Sequence, residues 1–431
     1  MSFQPKYNFI EELKWRHLFH QATPKTEERL NTKKTKGYIG FDPTADSLHI
    51  GNFVPIILLM HLQRAGHQPY ALVGGATGMV GDPSGKKAER QFLNEEVLRH
   101  NQTCVHQQLE KFLDFKTKIN PAKLVNNYDW FSKMGFLDFI RDIGKHISIS
   151  YMMSKDSVKN RLDTGLSFTE FTYQMVQGYD FYHLYKNENC VLQLGGSDQW
   201  GNITTGIEII RRKLHDESFA CTAPLITKAD GSKFGKSESG NIWLDENKTS
   251  VYNFYQFWLN ISDEDAQRYV KIFTFLSNDE IKAKIEKHQQ NPGLRKLQKL
   301  IAQEVTSLVH SPSSFEKAKS DSEIIFGLNS QEQFEQLADE LVKEIQTKES
   351  FVISKNILHS GDNVLDLMVE HTQIFSSKGE AKRMIKSGGV KINFEKIVDE
   401  EMKLLPQLAM KNKYILINKG KKNKYLVKLE E

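Results

Sequence analysis

The sequence predicts an α/β fold: a doubly wound parallel sheet over residues 1–245, an all-α domain over 246–327 and a small α+β domain over 360–431. Two observations predict the sheet. Short β runs end in glycine turns, and helical patterns start directly after those turns, which is the grammar of parallel strands joined by helices. A third marks the change beyond residue 246, where glycine turns give way to helical patterns rich in Lys, Glu and Gln. Composition permits this plan, since 39% of the 431 residues are hydrophobic and 10% aromatic. At about 100–200 residues per domain, that length suggests two to four domains. The charges nearly cancel, 58 Lys and Arg against 54 Asp and Glu, for a net +4. Any nucleic-acid role therefore rests on a local basic patch. No membrane span is expected, because the longest apolar stretch, Val54 to Met60, falls far short of about 18–20 residues. Glu11 and Glu12 argue against a signal peptide. Cys104, Cys190 and Cys221 lie far apart with no CxxC, which excludes a disulfide framework and the common cysteine zinc sites and fits a reducing, cytoplasmic setting.

In chain order, Gly37 to Phe41 is a β run closed by the turn signal Asp42-Pro43. His49 to Ala65 has helical length and apolar content, with Gly66 as its C-cap. Tyr70 to Val73 is a second strand that runs into Gly74-Gly75-Ala76-Thr77-Gly78. Val191 to Leu194 is another, running into Gly195-Gly196. Parallel sheets bind ligands at the carboxyl ends of their strands, where these turns sit. Phe136, Leu137, Phe139, Ile140 and Ile143 suit either a contact surface or a core helix. Residues 328–359 read as a linker with one amphipathic helix, Phe334-Leu337-Leu341-Ile345. In the last domain, Ser376 to Glu380 precede a short basic helix, and a Gly388-Gly389 turn precedes the strand Val390 to Asn393. Residues 411–425 carry six lysines and no acid, the local basic patch hidden by the overall balance.

Three segments suggest chemistry. His49-Ile50-Gly51-Asn52 opens a helix, and positions 49 and 52, three apart, would share a helix face. Donors there, added to the positive end of the helix dipole, would suit a phosphate, although a lone pair of this kind is far more often a polar surface feature. Gly231-Ser232-Lys233-Phe234-Gly235-Lys236-Ser237 places two lysines three apart in a glycine-rich loop. Tyr173, Gln177 and Asp180 point within about 60° of one another at 100° per residue, so one helix face carries three polar groups. That face is either a solvated stripe or a set of buried groups that need partners. Gly195 to Asn202 adds two glycines that admit a ligand to the backbone, with Asp198 able to accept from both hydroxyls of a ribose. Gly74 to Gly81 does not fit GxGxxG, and Lys86 lacks Walker A spacing.

Phe41 to Asn52 together with Gly231 to Ser237 resembles the paired HIGH and KMSKS signatures of class I aminoacyl-tRNA synthetases, and the whole chain resembles the bacterial tyrosyl-tRNA synthetases. Two departures stand out: the first signature ends in Asn52, and the second reads KFGKS. The resemblance implies ATP-dependent activation of L-tyrosine to tyrosyl-adenylate and transfer to the terminal ribose of tRNA(Tyr). It implies Thr44, His49 and Asn52 at the departing pyrophosphate, with Lys86, Arg90, Lys233 and Lys236 as mobile cations. Asp42, Gly51, Gly196, Asp198 and Lys236 would bind ATP, and Gln199 would orient the reacting carboxylate. Tyr173, Gln177 and Asp82 would hold the ammonium group, and Tyr38 and Asp180 the phenolic hydroxyl. ATP is expected as a substrate with Mg2+, with no tightly bound cofactor and no protein metal site. Val364 to Asn393 resembles an S4-type RNA-binding module, which implies tRNA contacts by Lys382, Arg383, Lys419, Lys421 and Lys422. A homodimer is implied, with Phe136 to Tyr151 near its interface. A tryptophanyl enzyme and a non-catalytic RNA-binding paralogue are the competing readings. A carboxylate paired with Tyr38 suits a phenol better than an indole, and a paralogue would be expected to have lost the lysine loop or the pocket carboxylates.

Overall fold

The computed structural model describes residues 3–84, 93–159, 165–237, 240–345, 351–420 and 423–431. The chain divides into two compact units, one of residues 1–237 and 241–312, the other of 238–240 and 313–431.

The first unit is built on six strands: β1 (Gln21–Ala22), β2 (Lys36–Phe41), β3 (Gln68–Val73), β4 (Lys123–Asn126), β5 (Cys190–Gly196) and β6 (Phe219–Ala223). Their order is β1-β6-β5-β2-β3-β4. The five from β6 to β4 are parallel, and β1 adds an antiparallel edge. The chain leaves β2 toward β3 and β4, then returns to lay β5 and β6 on the other side. The winding therefore reverses between β2 and β5, where a parallel sheet opens a crevice at its carboxyl end. Strands covered on both faces read as continuous apolar runs, and five of the six residues of β3 and six of the seven of β5 are buried.

Helices α2 (Ile50–Arg64), α3 (Phe168–Glu188) and α4 (Trp200–Leu214) pack on this sheet, and α1 (Phe9–Trp15) belongs to the same unit. Crossing at two glycines, α3 and α4 approach closely. A Cβ on Gly206 would lie 2.8 Å from the Phe181 Cβ, and one on Gly178 would lie 3.2 Å from the Gly206 nitrogen. This closeness brings Gln177 and Asn202 within hydrogen-bond reach. Helices α5 (Val251–Leu259), α6 (Asp263–Phe273) and α7 (Lys296–Val309) belong to the same compact unit as the sheet.

Beside β2, His67 is fully buried. Its Nδ1 accepts from the Thr35 N–H at 3.3 Å, and burial, with Arg29 and Lys34 nearby, pushes the imidazole down to about 4. The folded value lies below the unfolded one of about 6.5, so the unfolded chain takes up the proton first. Stability contributed by neutral His67 is complete above about pH 6.5 and is lost as pH falls toward 4. Unfolding free energies from urea titrations across this window should fall less steeply for His67→Gln, by up to about 3 kcal/mol at the acid end. Parallel curves for the two proteins would contradict it.

In the second unit, β7 (Phe351–Ser354), β8 (Val390–Ile392), β9 (Glu395–Lys396), β10 (Tyr414–Lys419) and β11 (Asn423–Glu430) stand in the order β9-β8-β10-β11-β7. All pairings are antiparallel except β7 on β11. Helix α8 (Lys378–Lys386) contributes Ala381 and Ile385 to a core shared with Val390, Ile392, Ile415, Ile417, Val427 and Leu429. The unit begins near residue 313, earlier than the expected change at 327, and the expected linker contains strand β7. The single amphipathic helix expected at Phe334 to Ile345 is instead two short ones, Gln331–Glu335 and Asp339–Glu344. Lys411 explains the break: its ammonium donates to the Leu337 carbonyl at 2.6 Å and pairs with Asp339 at 3.0 Å. Phe334, Leu337 and Ile345 are still buried, as their spacing predicts.

Candidate active site

At the carboxyl end of β2, Asp42 accepts from the Thr77 hydroxyl at 2.6 Å and from the Tyr173 hydroxyl at 2.8 Å. The carboxylate assigned from sequence to ATP thus lies against one of the residues assigned to the amino acid. One turn along α3, Gln177 accepts from Asn202 Nδ2 at 3.0 Å. Asp82, at the turn after β3, accepts from Gln199 Nε2 at 2.7 Å and from the Ser84 N–H at 2.9 Å. Gln177, Asp82 and Gln199 are therefore linked through Asn202 at the β2/β5 crevice, with Tyr173 one turn of α3 away on Asp42. Asp198 is half-buried beside them, its carboxyl pushed up by burial and by Asp82.

Deeper in, Asp180 is 2% exposed. Its two oxygens accept from Trp130 Nε1 at 2.9 Å and Asn127 Nδ2 at 3.0 Å. Burial pushes the carboxyl up to about 8, against the pull of those two N–H donors. The Tyr38 phenol is likewise pushed up, by burial and then by Asp180. Tyr38 Oη is buried with no hydrogen-bond partner among the described residues, and so is Gln193 Oε1. The two residues are register partners on β2 and β5, so they share a sheet face. Buried polar atoms are almost always satisfied, and an orphaned hydroxyl beside a buried carboxylate marks a place where a ligand group completes the set.

At the other end of the crevice, His49 and Asn52 do not share a helix face as expected. His49 is the N-cap of α2, with extended backbone, and Asn52 is its third helical residue. They form a reciprocal cap: His49 Nδ1 accepts from the Gly51 N–H at 3.0 Å, and Asn52 Oδ1 accepts from the His49 N–H at 3.1 Å. The neutral ring then carries its proton on Nε2, and the Asn52 amide keeps its NH2, so both retain a donor at the positive end of the helix. The capping role explains the departure in the first signature, because an amide oxygen can accept from the cap backbone. Thr44 and Lys233 are exposed. Lys86 and Arg90 lie outside the described residues, as do Lys421 and Lys422. Lys236 is described in its backbone only.

Two of the C-terminal lysines assigned to tRNA have partners inside their own unit. Lys419 is used inside its own unit, donating to the Ile374 carbonyl at 3.0 Å and Glu380 at 2.9 Å, with its ammonium 4.2 Å from the Phe375 ring centre. Lys382 pairs with Glu400 at 2.9 Å. Arg383 is exposed. The run without acids in sequence thus meets acids brought from elsewhere in the fold.

Residues 30–327 match the family of tRNA synthetases class I (W and Y), and residues 344–427 match the Tyrosine--tRNA ligase SYY-like C-terminal domain. The tyrosine--tRNA ligase of Bacteroides thetaiotaomicron is 54% identical over 426 residues, covering 97% of this chain and 99% of that one. The chain belongs to the tyrosyl-tRNA synthetase family. The enzyme of Porphyromonas gingivalis, also 54% identical, covers 98% of this chain and 100% of its own. Among solved structures, a C-terminally truncated mitochondrial tyrosyl-tRNA synthetase of Aspergillus nidulans superimposes with a TM-score of 0.67 at 33% identity, over 74% of this chain and 94% of that one.

For a tyrosyl-tRNA synthetase, the residues that sequence reasoning missed are those that hold the assigned ones. Asn127 and Trp130 fix Asp180, Asn202 joins Gln177 to Gln199 at 3.3 Å, and Thr77 fixes Asp42. A signal for the first two existed. Asn127-Tyr128-Asp129-Trp130 directly follows β4, so reading Lys123–Asn126 as a strand would have placed them at the carboxyl edge of the sheet.

Proposed function

We propose that this chain activates L-tyrosine with ATP, releasing pyrophosphate, and transfers the tyrosyl group from the adenylate to the 3′-terminal ribose of tRNA(Tyr). The observation that carries the amino-acid assignment is the Tyr38–Asp180 pair. A phenol would donate to Asp180 and give the buried Tyr38 hydroxyl its missing partner. Tyr173, Gln177 and Asp82 would receive the ammonium group, and Gln199 would orient the carboxylate. That carboxylate, ionised at neutral pH, attacks the α-phosphorus in line while pyrophosphate leaves, so no protein nucleophile is required. The protein supplies position and charge. His49 Nε2, the Asn52 amide, Thr44 and the first turn of α2 would meet the leaving pyrophosphate, joined by Lys86, Arg90, Lys233 and Lys236. One such donor is worth about 2–4 kcal/mol in comparable sites. Gly196 and Asp198 would take the ribose. Mg2+ would arrive with ATP as its counter-ion.

Tyrosine-dependent exchange of labelled pyrophosphate into ATP tests this reading, with phenylalanine and tryptophan run beside it. Exchange with tyrosine alone is expected. Exchange with tryptophan alone would reassign the pocket, and none from folded protein would end the synthetase reading in favour of an RNA-binding relative.

The active form in this reading is a homodimer in the cytoplasm. Phe136, Leu137, Ile149 and Phe168 are 66, 79, 72 and 67% exposed, large apolar side chains of the kind that interfaces cover. Sedimentation should give twice the chain mass, and Leu137→Asp with Phe136→Asp should give the monomer. A wild-type monomer at micromolar concentration would remove the dimer. For tRNA, the exposed Arg383, Lys386, Lys391 and Lys396 replace Lys419 as candidate phosphate contacts, with Lys382 and the lysines at 421 and 422 retained. Lys391 and Lys396 stand directly opposite each other on β8 and β9. Like charges so placed repel, which an anionic ligand would relieve.

A further inference from the structure

Phe234 is the one apolar residue in Gly231 to Ser237, and it is buried. Its ring stacks on Phe273 with centres 5.2 Å apart and planes 22° apart, and meets Tyr269 at 5.0 Å, Phe257 at 5.9 Å and Trp258 at 6.0 Å. These partners belong to α5 and α6. Phe273 also stacks on Phe53 of α2, with centres 6.1 Å apart and planes parallel within 1°. One aromatic cluster therefore touches both the lysine loop and the helix that His49 caps.

Further ties hold the two ends of the loop. Tyr269 Oη donates to the Thr227 carbonyl at 3.0 Å, and Asp265 accepts from the Ala229 N–H at 2.9 Å, so α6 grips the loop where it starts. Gly235 has φ +81°, and a Cβ there would lie 2.5 Å from Ile50 Cγ2 and 3.4 Å from the Gly51 nitrogen. Only glycine lets the loop backbone lie this close to the first turn of α2. Past it, the Ile242 N–H donates to the Gly235 carbonyl at 3.1 Å and the Ile50 N–H to the Ile242 carbonyl at 2.8 Å.

We propose that Phe234 is a positioning residue for the activation step. Seated in the α5–α6 aromatic cluster, it holds the loop so that Lys233 is presented at the His49 end of α2. The inference rests on the function proposed above. A lysine on a free loop is a poor electrostatic catalyst, because it must be ordered at the moment of reaction, whereas a preorganised one acts without that cost. Misplacement by about 1 Å can lower a rate about 10²-fold. The Phe and Gly of KFGKS are then one device: the ring anchors the loop, and the next residue has no side chain to collide with Ile50.

The test uses the full chain with Phe234→Ala and Phe234→Met. In the exchange assay Phe234→Ala should lower kcat about 10²-fold and raise the KM for ATP, with tyrosine affinity within about twofold of wild type. Trypsin should cleave after Lys233 about tenfold faster than in wild type, since an unanchored loop opens more often. Methionine, long enough to fill the same pocket, should recover kcat to within about tenfold and restore protection. The proposal is overturned by an Ala variant with wild-type kcat, by tyrosine affinity falling in step with kcat, or by no recovery with Met. If the Ala variant does not fold, Phe234→Leu must show the same split between kcat and tyrosine affinity. Should wild type itself show no exchange, the proposed function falls, while the cleavage rates still decide whether Phe234 anchors the loop.

Discussion

Asp180→Ala is expected to collapse the discrimination of tyrosine from phenylalanine in pyrophosphate exchange. The carboxylate is held by Trp130 and Asn127, buried on α3 near the unpartnered Tyr38 hydroxyl. Phenylalanine entering the intact pocket would leave the Tyr38 hydroxyl without a partner and Asp180 with only its Trp130 and Asn127 donors, in a place water does not reach. Such an unmade hydrogen bond costs more than a made one gains. For tyrosyl-tRNA synthetases as a class the resulting ratio is about 10⁵, a scale adopted here from that class and not calculated from these distances. Without the carboxylate, the kcat/KM ratio for the two amino acids should drop to within about tenfold, mostly through loss of tyrosine. Asp180→Asn keeps the volume and serves as the folding control. A ratio still above about 10⁴ in the Ala variant would place phenol recognition elsewhere.

The largest stability effect is expected at Arg16. Its guanidinium is buried, 2% exposed, and donates to the carbonyls of Lys271 and Thr274 at 2.7 Å each and of Leu276 at 2.7 Å. The Lys271 carbonyl lies in the last turn of α6, and the other two lie just beyond it. Helix ends leave such carbonyls unpaired, and their partial negative charge favours a cation. Glu12 balances the charge at 2.7 Å. Removing Arg16 would leave three carbonyls without their donor and take the cation from Glu12, which keeps only the Trp15 N–H, so Arg16→Ala should cost about 3–5 kcal/mol. Lysine cannot rescue it fully, since one ammonium lacks the planar fork that reaches separate acceptors. Chemical unfolding of the full chain, followed at the transition that includes the α6 region, reads the loss. A change below about 1 kcal/mol would mean that water replaces the arginine at no cost.

Much of the fold was legible because it depends on local order. Strands at Gly37–Phe41, Tyr70–Val73 and Val191–Leu194 and the helix after His49 follow from period, glycine turns and cap residues. The observed elements Lys36–Phe41, Gln68–Val73, Cys190–Gly196 and Ile50–Arg64 differ from them by two residues or fewer at each end. The break between Phe334 and Ile345 was not legible, because it is made by Lys411, remote in sequence. For the same reason the 411–425 lysines read as a free patch, although Glu380 and Asp339 neutralise two of them.

By itself the sequence determined the doubly wound α/β class of the first domain, several of the residues that stand at its crevice and the family to which the chain belongs. Each of these is carried by residue type and short-range spacing. Only the tertiary structure decided how those residues act on one another. It made His49 and Asn52 a cap instead of a shared face, surrounded Asp180 with Asn127 and Trp130, and buried Phe234 between two lysines. Hydrogen bonds and packing between distant segments fall off steeply with separation in space, and spacing along the chain does not encode that separation.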